Sequence, residues 1–252
     1  GTAGSCALVL QTILWPLLFA DQPSSVVIEG GTHVPMSPSF EFLEYSFLPA
    51  LRRMGVETQI ELVKHGFFPG GGGKIKALIQ PWKNKKALDL CQRGERISQH
   101  ALCLFANLEQ SIADTQLAEV RRYLNWSDAD VVHHGLRNSH GIGNALILGV
   151  QSSEHTEIVT GYGDKSRSSG QVAQVACDEM KQYLKSRAAI GEHLADQLLI
   201  PLALAGGRFT CNHMSSHFRT NSEIIQRFLN VAFDTAETEQ NCFEITVRHR
   251  YV

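Results

Sequence analysis

The chain has 252 residues with 23 basic and 25 acidic side chains, a formal net charge of −2 and 43% hydrophobic residues. This composition is ordinary for a globular protein and allows one large domain or two. With no overall basic field, extended sequence-independent binding along a nucleic acid backbone is not favoured, so any contact with nucleic acid should be local.

The cysteine and apolar patterns bear on the compartment. The six cysteines include no CxxC pair and several lie in apolar runs, so we expect reduced, buried thiols. The apolar stretch Leu8–Phe19 contains Pro16 and has no basic segment before it, so we expect neither a signal peptide nor a membrane span. We therefore expect a cytoplasmic protein, with the nucleus as the alternative in a eukaryote.

Hydrophobic periodicity divides residues 4–81 into helix, strand, helix, strand and strand. The predicted elements are a helix at Ser5–Phe19, a strand at Ser25–Glu29, a helix at Ser39–Met54 and strands at Glu57–His65 and Lys74–Gln80. The glycine run at 70–73 lies between the last two strands and lacks the GK[ST] ending of a phosphate-binding loop. We interpret it as a hairpin turn.

Residues 92–187 follow a different pattern, which predicts an inserted smaller domain. The predicted elements are strands at Ile97–Ala106, Val131–His134, Ala145–Gln151 and Thr156–Thr160 and helices at Thr115–Leu124 and Gly170–Leu184. Polar stretches at Trp82–Asp89 and Lys185–Ala188 are interpreted as linkers. The nearby histidines 133, 134 and 140 match no common zinc spacing, so no structural metal is predicted.

The last part of the chain repeats the order of the first. The predicted elements are a helix at Gly191–Ala205, a strand at Phe209–His213, a helix at Asn221–Leu229 and strands at Ala232–Thr235 and Cys242–Arg248. Pro-Leu-x-x-Ala recurs at Pro16 and Pro201, which indicates internal duplication. The sequence thus predicts an α/β (α+β) fold with repeated units at 1–91 and 188–252 and an inserted smaller α/β domain at 92–187.

The segment from Ala189 to Asn221 is where we expect chemistry. A leucine-rich helix there would bury its apolar face and carry Glu192, Asp196 and Gln197 near one end. Thr220 and Asn221 would cap the next helix, which leaves His217 on a turn, where an imidazole can act as nucleophile or base near neutral pH. The alternative is that His217 is one of eleven histidines without a catalytic role.

Four separated motifs resemble those of RNA 3′-terminal phosphate cyclases. They are GSCALVLQT at 4–12, GGTHVPMSP at 30–38, HGFFP at 65–69 before the glycine run, and GEHLADQLLIPLALAGG at 191–207 followed by SSHxxTN at 215–221. The resemblance implies three repeated units of two helices on a four-stranded sheet, with an insert before the last unit. The family's first unit, with an EGGGQ-type motif, has no counterpart here, so we expect a fragment whose intact parent is active.

The resemblance also implies the site residues. His217 would take AMP from ATP, and an aromatic ring at the position of His193 would stack on adenine. The implied ATP-binding residues are Gln11, Pro38, His193, Leu194, Ala195, Asp196 and Gln197. Structural alternatives exist for three of them. The Gln11 amide could bond backbone, Pro38 could begin a helix, and Asp196 could stabilise its own helix.

The implied reaction is the ATP-dependent conversion of an RNA 3′-terminal phosphate to a 2′,3′-cyclic phosphate through a histidine–AMP intermediate. The implied partners are ATP, a divalent cation (Mg²⁺ or Mn²⁺) and RNA with a 3′-terminal phosphate, with no membrane partner. No residue is assigned as a metal ligand, and the oligomeric state is left open. The candidates for phosphate contact are Lys165, Arg167, Arg208 and Arg219. The alternative is that these four side chains are only solvated at the surface.

Two alternative functions are weighed against this one. A non-catalytic cyclase-like factor in ribosomal RNA processing would share the fold, but such a protein would be expected to lose the nucleophile, which His217 retains. An enolpyruvate-transferase-like enzyme would need clustered basic residues for two anionic substrates, and the sequence has no such cluster.

Overall fold

The computed structural model describes residues 3–137 and 139–249. Its helices are α1 (Cys6–Leu18), α2 (Phe40–Phe42), α3 (Leu48–Arg53), α4 (Gln110–Leu124), α5 (Ser169–Lys185), α6 (Glu192–Gln197), α7 (Leu199–Ala205) and α8 (Ser216–Phe228). Its strands are β1 (Ser24–Gly30), β2 (Thr58–Lys64), β3 (Gly73–Ile79), β4 (Leu88–Leu90), β5 (Arg96–Ala106), β6 (Val131–Leu136), β7 (Gly143–Ser152), β8 (Thr156–Tyr162), β9 (Gly207–Cys211), β10 (Val231–Glu239) and β11 (Cys242–His249). The mixed α/β class predicted from the sequence is confirmed.

Two parts of the chain share one topology. The first unit (α1 to β3) has the sheet order β1-β3-β2, and the final unit (α6 to β11) has the equivalent order β9-β11-β10, antiparallel throughout. In each unit a parallel bridge joins the start of the first helix to the end of the first strand, at Ser5–Gly31 and Ile190–Cys211. This shared topology supports the internal duplication inferred from the sequence.

The two sheets differ in one strand. Strand β4 pairs in parallel with β9 and makes the final sheet four-stranded, in the order β10-β11-β9-β4. The first unit's sheet has three strands within the residues that the structure describes. Strand β4 begins inside Trp82–Asp89, a stretch that the sequence predicted to be a linker. The chain leaving the first unit therefore contributes a strand to the final one.

The inserted domain (β5 to α5) contains a sheet of order β6-β5-β7-β8 that is covered on both faces. Successive residues of a strand point to opposite faces. Leu146 and Leu148 of β7 lie in a core formed with α4 and α5, whereas Ala145 and Ile147 lie in the larger core of the first and final units. Strand β7 therefore joins the insert to the repeated units.

Proline accounts for two irregular helices. The helix predicted at Gly191–Ala205 forms as α6 and α7, which meet at Leu198. Pro201 has no N–H to bond the carbonyl of Gln197, and its ring crowds that carbonyl. The helix predicted at Ser39–Met54 likewise contains a π-helical turn at Leu43–Phe47, which ends two residues before Pro49.

The cysteines behave as the sequence predicts. All six are free, five are buried and Cys91 is half-buried. Burial raises the pKa of Cys103 and Cys177 to about 12, so both stay protonated at neutral pH. Over residues 3–137 and 139–249, no helix combines the length and the apolar character needed to cross a membrane.

Candidate functional site

Helices α1 and α6 are joined by two glutamines. Gln11, half-buried on α1, donates from Nε2 to Oε1 of Gln197 at the end of α6. Gln197 in turn donates to the backbone oxygen of His193 at 2.9 Å. The Gln11 amide is thus satisfied by a side chain of the duplicated helix, not by backbone. Two residues that the resemblance assigned to one binding site are in contact.

The strip from His193 to Gln197 divides into a buried and an accessible half. Leu194 and Ala195 are fully buried in the large core, so only their backbone is available to a ligand. His193 is exposed, while Asp196 and Gln197 are half-buried. The accessible members are the ones whose side chains can bond a ligand.

Glu179 of α5 holds the edge of the His193 ring, with 3.2 Å between Oε1 and Nε2. This hydrogen bond raises the pKa of His193 to about 9. Burial opposes the rise, and attraction to Glu179, Glu192 and Glu157 adds to it. His193 is therefore an imidazolium at neutral pH. Because 58% of its side chain is exposed, the ring remains accessible for stacking.

Asp196 lies among charged neighbours on α6 and α8. The pKa of its carboxyl is raised from 3.8 to about 6, mainly by burial. Attraction to His193 and His217 lowers this pKa, and repulsion from Glu192 raises it. The attraction brings His217 into the same electrostatic environment as the α6 strip. Asp196 and His217 therefore lie close enough to interact electrostatically.

His217 lies in the first turn of α8, not on a turn before the helix as the sequence predicted. The Ser215 hydroxyl accepts a hydrogen bond from the Phe218 N–H at 3.1 Å and caps the helix. Thr220 and Asn221 are helical, so their predicted capping role is wrong. The His217 side chain is exposed at the end of the helix where free N–H groups and the macrodipole favour an anion.

A buried contact from the inserted domain fixes the start of α6. Glu157 of β8 accepts hydrogen bonds through Oε2 from the Gly191 N–H at 2.8 Å and from His155 Nε2 at 3.2 Å. A Cβ at Gly191 would lie 2.4 Å from Glu157 Oε1. Gly191 has no capping side chain, so the carboxylate supplies the cap from another element. Sequence reasoning missed this contact because its partners are far apart in the chain.

Pro38 lies in a different set of contacts. It precedes Ser39, whose hydroxyl caps α2 by accepting from the Phe42 N–H, so Pro38 is not the first helical residue. The hydrogen bonds of its neighbours run to β8, where Tyr162 donates to the Ser37 oxygen at 3.2 Å and Thr160 bonds Ser39. The structure thus gathers Gln11, the α6 strip and His217, whereas the Pro38 loop is bound to the inserted domain.

The cations named as phosphate candidates are dispersed. Arg208 of β9 is paired with Asp89 at 3.3 Å, and Arg219 is exposed on α8. Lys165 and Arg167 border a cavity between the first unit and the inserted domain. Within the part of the chain that the structure describes, no group of three His, Cys, Asp or Glu side chains is arranged to hold a metal ion.

Comparison with known proteins gives consistent matches. The family model described as "RNA 3'-terminal phosphate cyclase" matches residues 1–235. Curated proteins named RNA 3'-terminal phosphate cyclase are similar to this chain. That of Koribacter versatilis (strain Ellin345) is 45% identical over 99% of this chain and 70% of its own length. That of Ectopseudomonas mendocina (strain ymp) is 43% identical over 98% of this chain and 73% of its own length.

Proposed function

Because the chain belongs to the RNA 3′-terminal phosphate cyclase family, we propose that it converts an RNA 3′-terminal phosphate to a 2′,3′-cyclic phosphate through an AMP adduct on His217. The family and the enzyme class predicted from the sequence motifs are confirmed by these matches. The histidine intermediate, the ATP contacts and the compartment, for which we propose the cytoplasm, remain proposals.

The position of His217 carries the proposed first step. Its exposed imidazole lies in the first turn of α8, where N–H groups and the helix dipole attract the phosphates of ATP. A neutral ring nitrogen attacks the α-phosphorus, so that an N–P bond forms and pyrophosphate leaves. The half-buried Asp196 nearby stabilises positive charge that develops on the ring.

The α6 strip and α1 supply the proposed nucleotide contacts. His193 stacks on adenine through its accessible ring, and Asp196 and Gln197 bond polar groups of the nucleotide with Gln11. Leu194 and Ala195 contribute through their backbone because their side chains are buried. Pro38 approaches the nucleotide from the loop bound to β8.

Two transfers complete the proposed reaction. An oxygen of the RNA 3′-phosphate attacks the AMP phosphorus, which breaks the N–P bond and restores neutral His217. The 2′-hydroxyl then attacks the activated 3′-phosphorus, its proton passes to solvent, the bond from that phosphorus to the AMP oxygen breaks, and AMP leaves. Because nucleophile and phosphorus share one ribose, this last step is intramolecular and requires mainly orientation.

A divalent cation, Mg²⁺ or Mn²⁺, is proposed to offset phosphate charge. The residues that the structure describes provide no group of three ligands, although Glu192 and Asp196 lie close enough to interact electrostatically. Mg²⁺ commonly binds through one or two carboxylates together with substrate phosphates. We therefore assign the cation no protein-only site and derive no step from it.

The proposal is tested by intact mass spectrometry after incubation with ATP and Mg²⁺ or Mn²⁺. The expected result is an acid-labile mass increase of one AMP, which His217→Ala abolishes. The matched control is His213→Ala, since His213 is also an exposed histidine beside α6. It should retain the adduct.

An adduct that persists in His217→Ala would contradict the assignment of the nucleophile. No adduct on the wild-type chain under any of these conditions would contradict the proposed adenylylation of this chain.

A further inference from the structure

A cavity of about 850 Å³ lies between the first unit and the inserted domain. One side is formed by the loop after β1, with His33 and Pro35, and by Phe67–Gly70 between β2 and β3. The other side is formed by the start of β7, the end of β8 and the starts of α4 and α5. Binding sites for small molecules commonly have this volume and lie between domains. None of the residues in the proposed ATP site lines it.

The walls of the cavity are mainly apolar and include exposed aromatic surface. The apolar lining includes Pro35, Phe68, Leu108, Ile112, Ile142 and Tyr162. Phe67 is buried against the His33 ring, but Phe68 is 61% exposed and Ile142 is 58% exposed. An aromatic face that stays exposed beside a cavity is suited to stacking on a flat ring.

The cavity border also carries positive charge. Lys165 and Arg167 lie on the segment between β8 and α5, and neither forms a salt bridge within residues 3–137 and 139–249. The carboxylate among the lining residues, Asp164, accepts from the N–H and hydroxyl of Ser166 at 2.7 and 2.8 Å. Asp164 attracts Arg167, but its carboxylate bonds Ser166 and forms no salt bridge with either cation within the described residues, so both cations can still contact a phosphate group.

The cavity is connected to the proposed nucleotide site through one loop. Tyr162 forms part of the wall, and its hydroxyl donates to the Ser37 backbone oxygen at 3.2 Å, next to Pro38. Ser39, on the other side of Pro38, bonds Thr160 at 3.0 Å. A chain lying in the cavity therefore passes close to the loop that would approach the nucleotide.

We propose that this cavity binds a nucleotide of the RNA chain upstream of the reacting 3′ end. Its base stacks on Phe68 among the apolar walls, and a backbone phosphate lies against Lys165 and Arg167. This inference rests on the proposed function, which supplies the RNA substrate. It explains how a protein without an overall basic field holds RNA, through one local site.

The test is direct binding of 3′-phosphorylated oligonucleotides, measured by fluorescence anisotropy without ATP. Phe68→Ala and Arg167→Ala should each weaken binding of an octanucleotide about tenfold and leave binding of a dinucleotide unchanged. Arg167→Ala should also reduce the slope of log K against log salt by about 0.7. Matched controls are Phe19→Ala and Arg187→Ala, exposed residues outside the cavity, which should bind as the wild type does.

A second arm removes the base instead of the side chain. An octanucleotide that lacks its bases upstream of the last two residues should bind wild type as weakly as the complete octanucleotide binds Phe68→Ala. The proposal is overturned if the cavity variants bind the octanucleotide normally. It is also overturned if they weaken both lengths equally, since the cavity would then hold the reacting end, or if they weaken ATP instead of RNA.

The cavity proposal and the proposed function can be tested separately. Adenylylation of His217 is measured by mass without RNA, whereas oligonucleotide binding is measured without ATP. Loss of RNA binding in the cavity variants with no histidine adduct would support the cavity and contradict the mechanism. A histidine adduct together with normal RNA binding in those variants would support the mechanism and contradict the cavity proposal.

Discussion

Asp196 is a half-buried acid whose ionisation opposes folding. Its pKa is about 6 in the folded chain, above the usual 3.8, so the folded state binds the proton more tightly than the unfolded state. Ionising Asp196 therefore lowers the free energy of unfolding. This cost is absent below pH 3.8, grows as pH rises, and is complete above about pH 6. The site thus retains a carboxylate at neutral pH that reduces stability.

Replacing this carboxyl should make stability less dependent on pH. We expect Asp196→Asn to be more stable than wild type at pH 7.5, by roughly 1–2 kcal/mol after allowance for partial exposure, and to lose the advantage near pH 4. Urea unfolding at both pH values measures the difference. Asp178→Asn, at an exposed position on α5, is the control and should show no such change. An equal gain at both pH values would contradict the explanation.

At the residue scale, sequence patterns identify side chains better than their partners. The motifs point to Gln11, Asp196, Gln197 and His217, and the structure places these four near one another. The motifs do not reveal Glu179, because its contact with His193 exists only once α5 packs beside α6. A surface glutamate on an amphipathic helix has no local pattern that distinguishes it from a solvated one.

The start of α6 is stabilised by an element that belongs to another domain. Glu157→Gln should weaken the cap on the Gly191 N–H and leave His155 without its charged partner. We expect a loss of about 1–3 kcal/mol in unfolding free energy and faster amide exchange across α6. Because α6 carries the proposed ATP contacts, ATP binding should weaken as well.

The comparison that isolates this effect is Glu154→Gln. Glu154 lies on the β7–β8 connection, three residues before Glu157, but it is 47% exposed and pairs with Arg53 on the surface. We expect little change in stability or in α6 exchange, since exposed pairs contribute little. Thermal unfolding and hydrogen exchange of both variants measure the difference. Similar effects from both would show that Glu157 has no special role at α6.

At the element scale, the sequence predicts which segments are helices and strands but not all of their ends. Helix α8 begins at Ser216 because the Ser215 cap precedes the predicted one, and both Ser and Thr-Asn are acceptable caps by composition. Strand β4 has three residues beside a lysine-rich stretch, too short for a periodic pattern. Its pairing with β9 is decided by tertiary packing.

The inserted domain and the repeated units share one hydrophobic core. The large core combines residues of α1 and β3 with residues of α6, α7 and β9, and the insert adds Leu104, Ala106, Ala145, Ile147 and Ile158. A core shared in this way favours cooperative unfolding of all three parts. The domain boundaries predicted at 91 and 187 remain predictions, and strand β4, on the first unit's side of the boundary at 91, pairs with the final unit's sheet.

Adjacent residues of β7 provide a direct test of this coupling. Ile147 and Leu148 are both fully buried, but Ile147 faces the large core and Leu148 faces α4 and α5. Each substitution to Ala should cost about 2–5 kcal/mol through lost burial and a cavity. Ile147→Ala should increase hydrogen exchange in α1, α6 and α7, whereas Leu148→Ala should increase it first in α4 and α5.

The two variants differ in position by one residue and have similar volume changes, so the location of the increased exchange reports which face of the sheet was weakened. Exchange confined to the inserted domain in both variants would mean that the insert unfolds independently. It would then be a separable module, and the contact of Glu157 with α6 would be the means by which it influences the site. Spread of the Ile147→Ala effect into α6 would show that the insert's sheet is part of the scaffold that holds the His193–Gln197 strip.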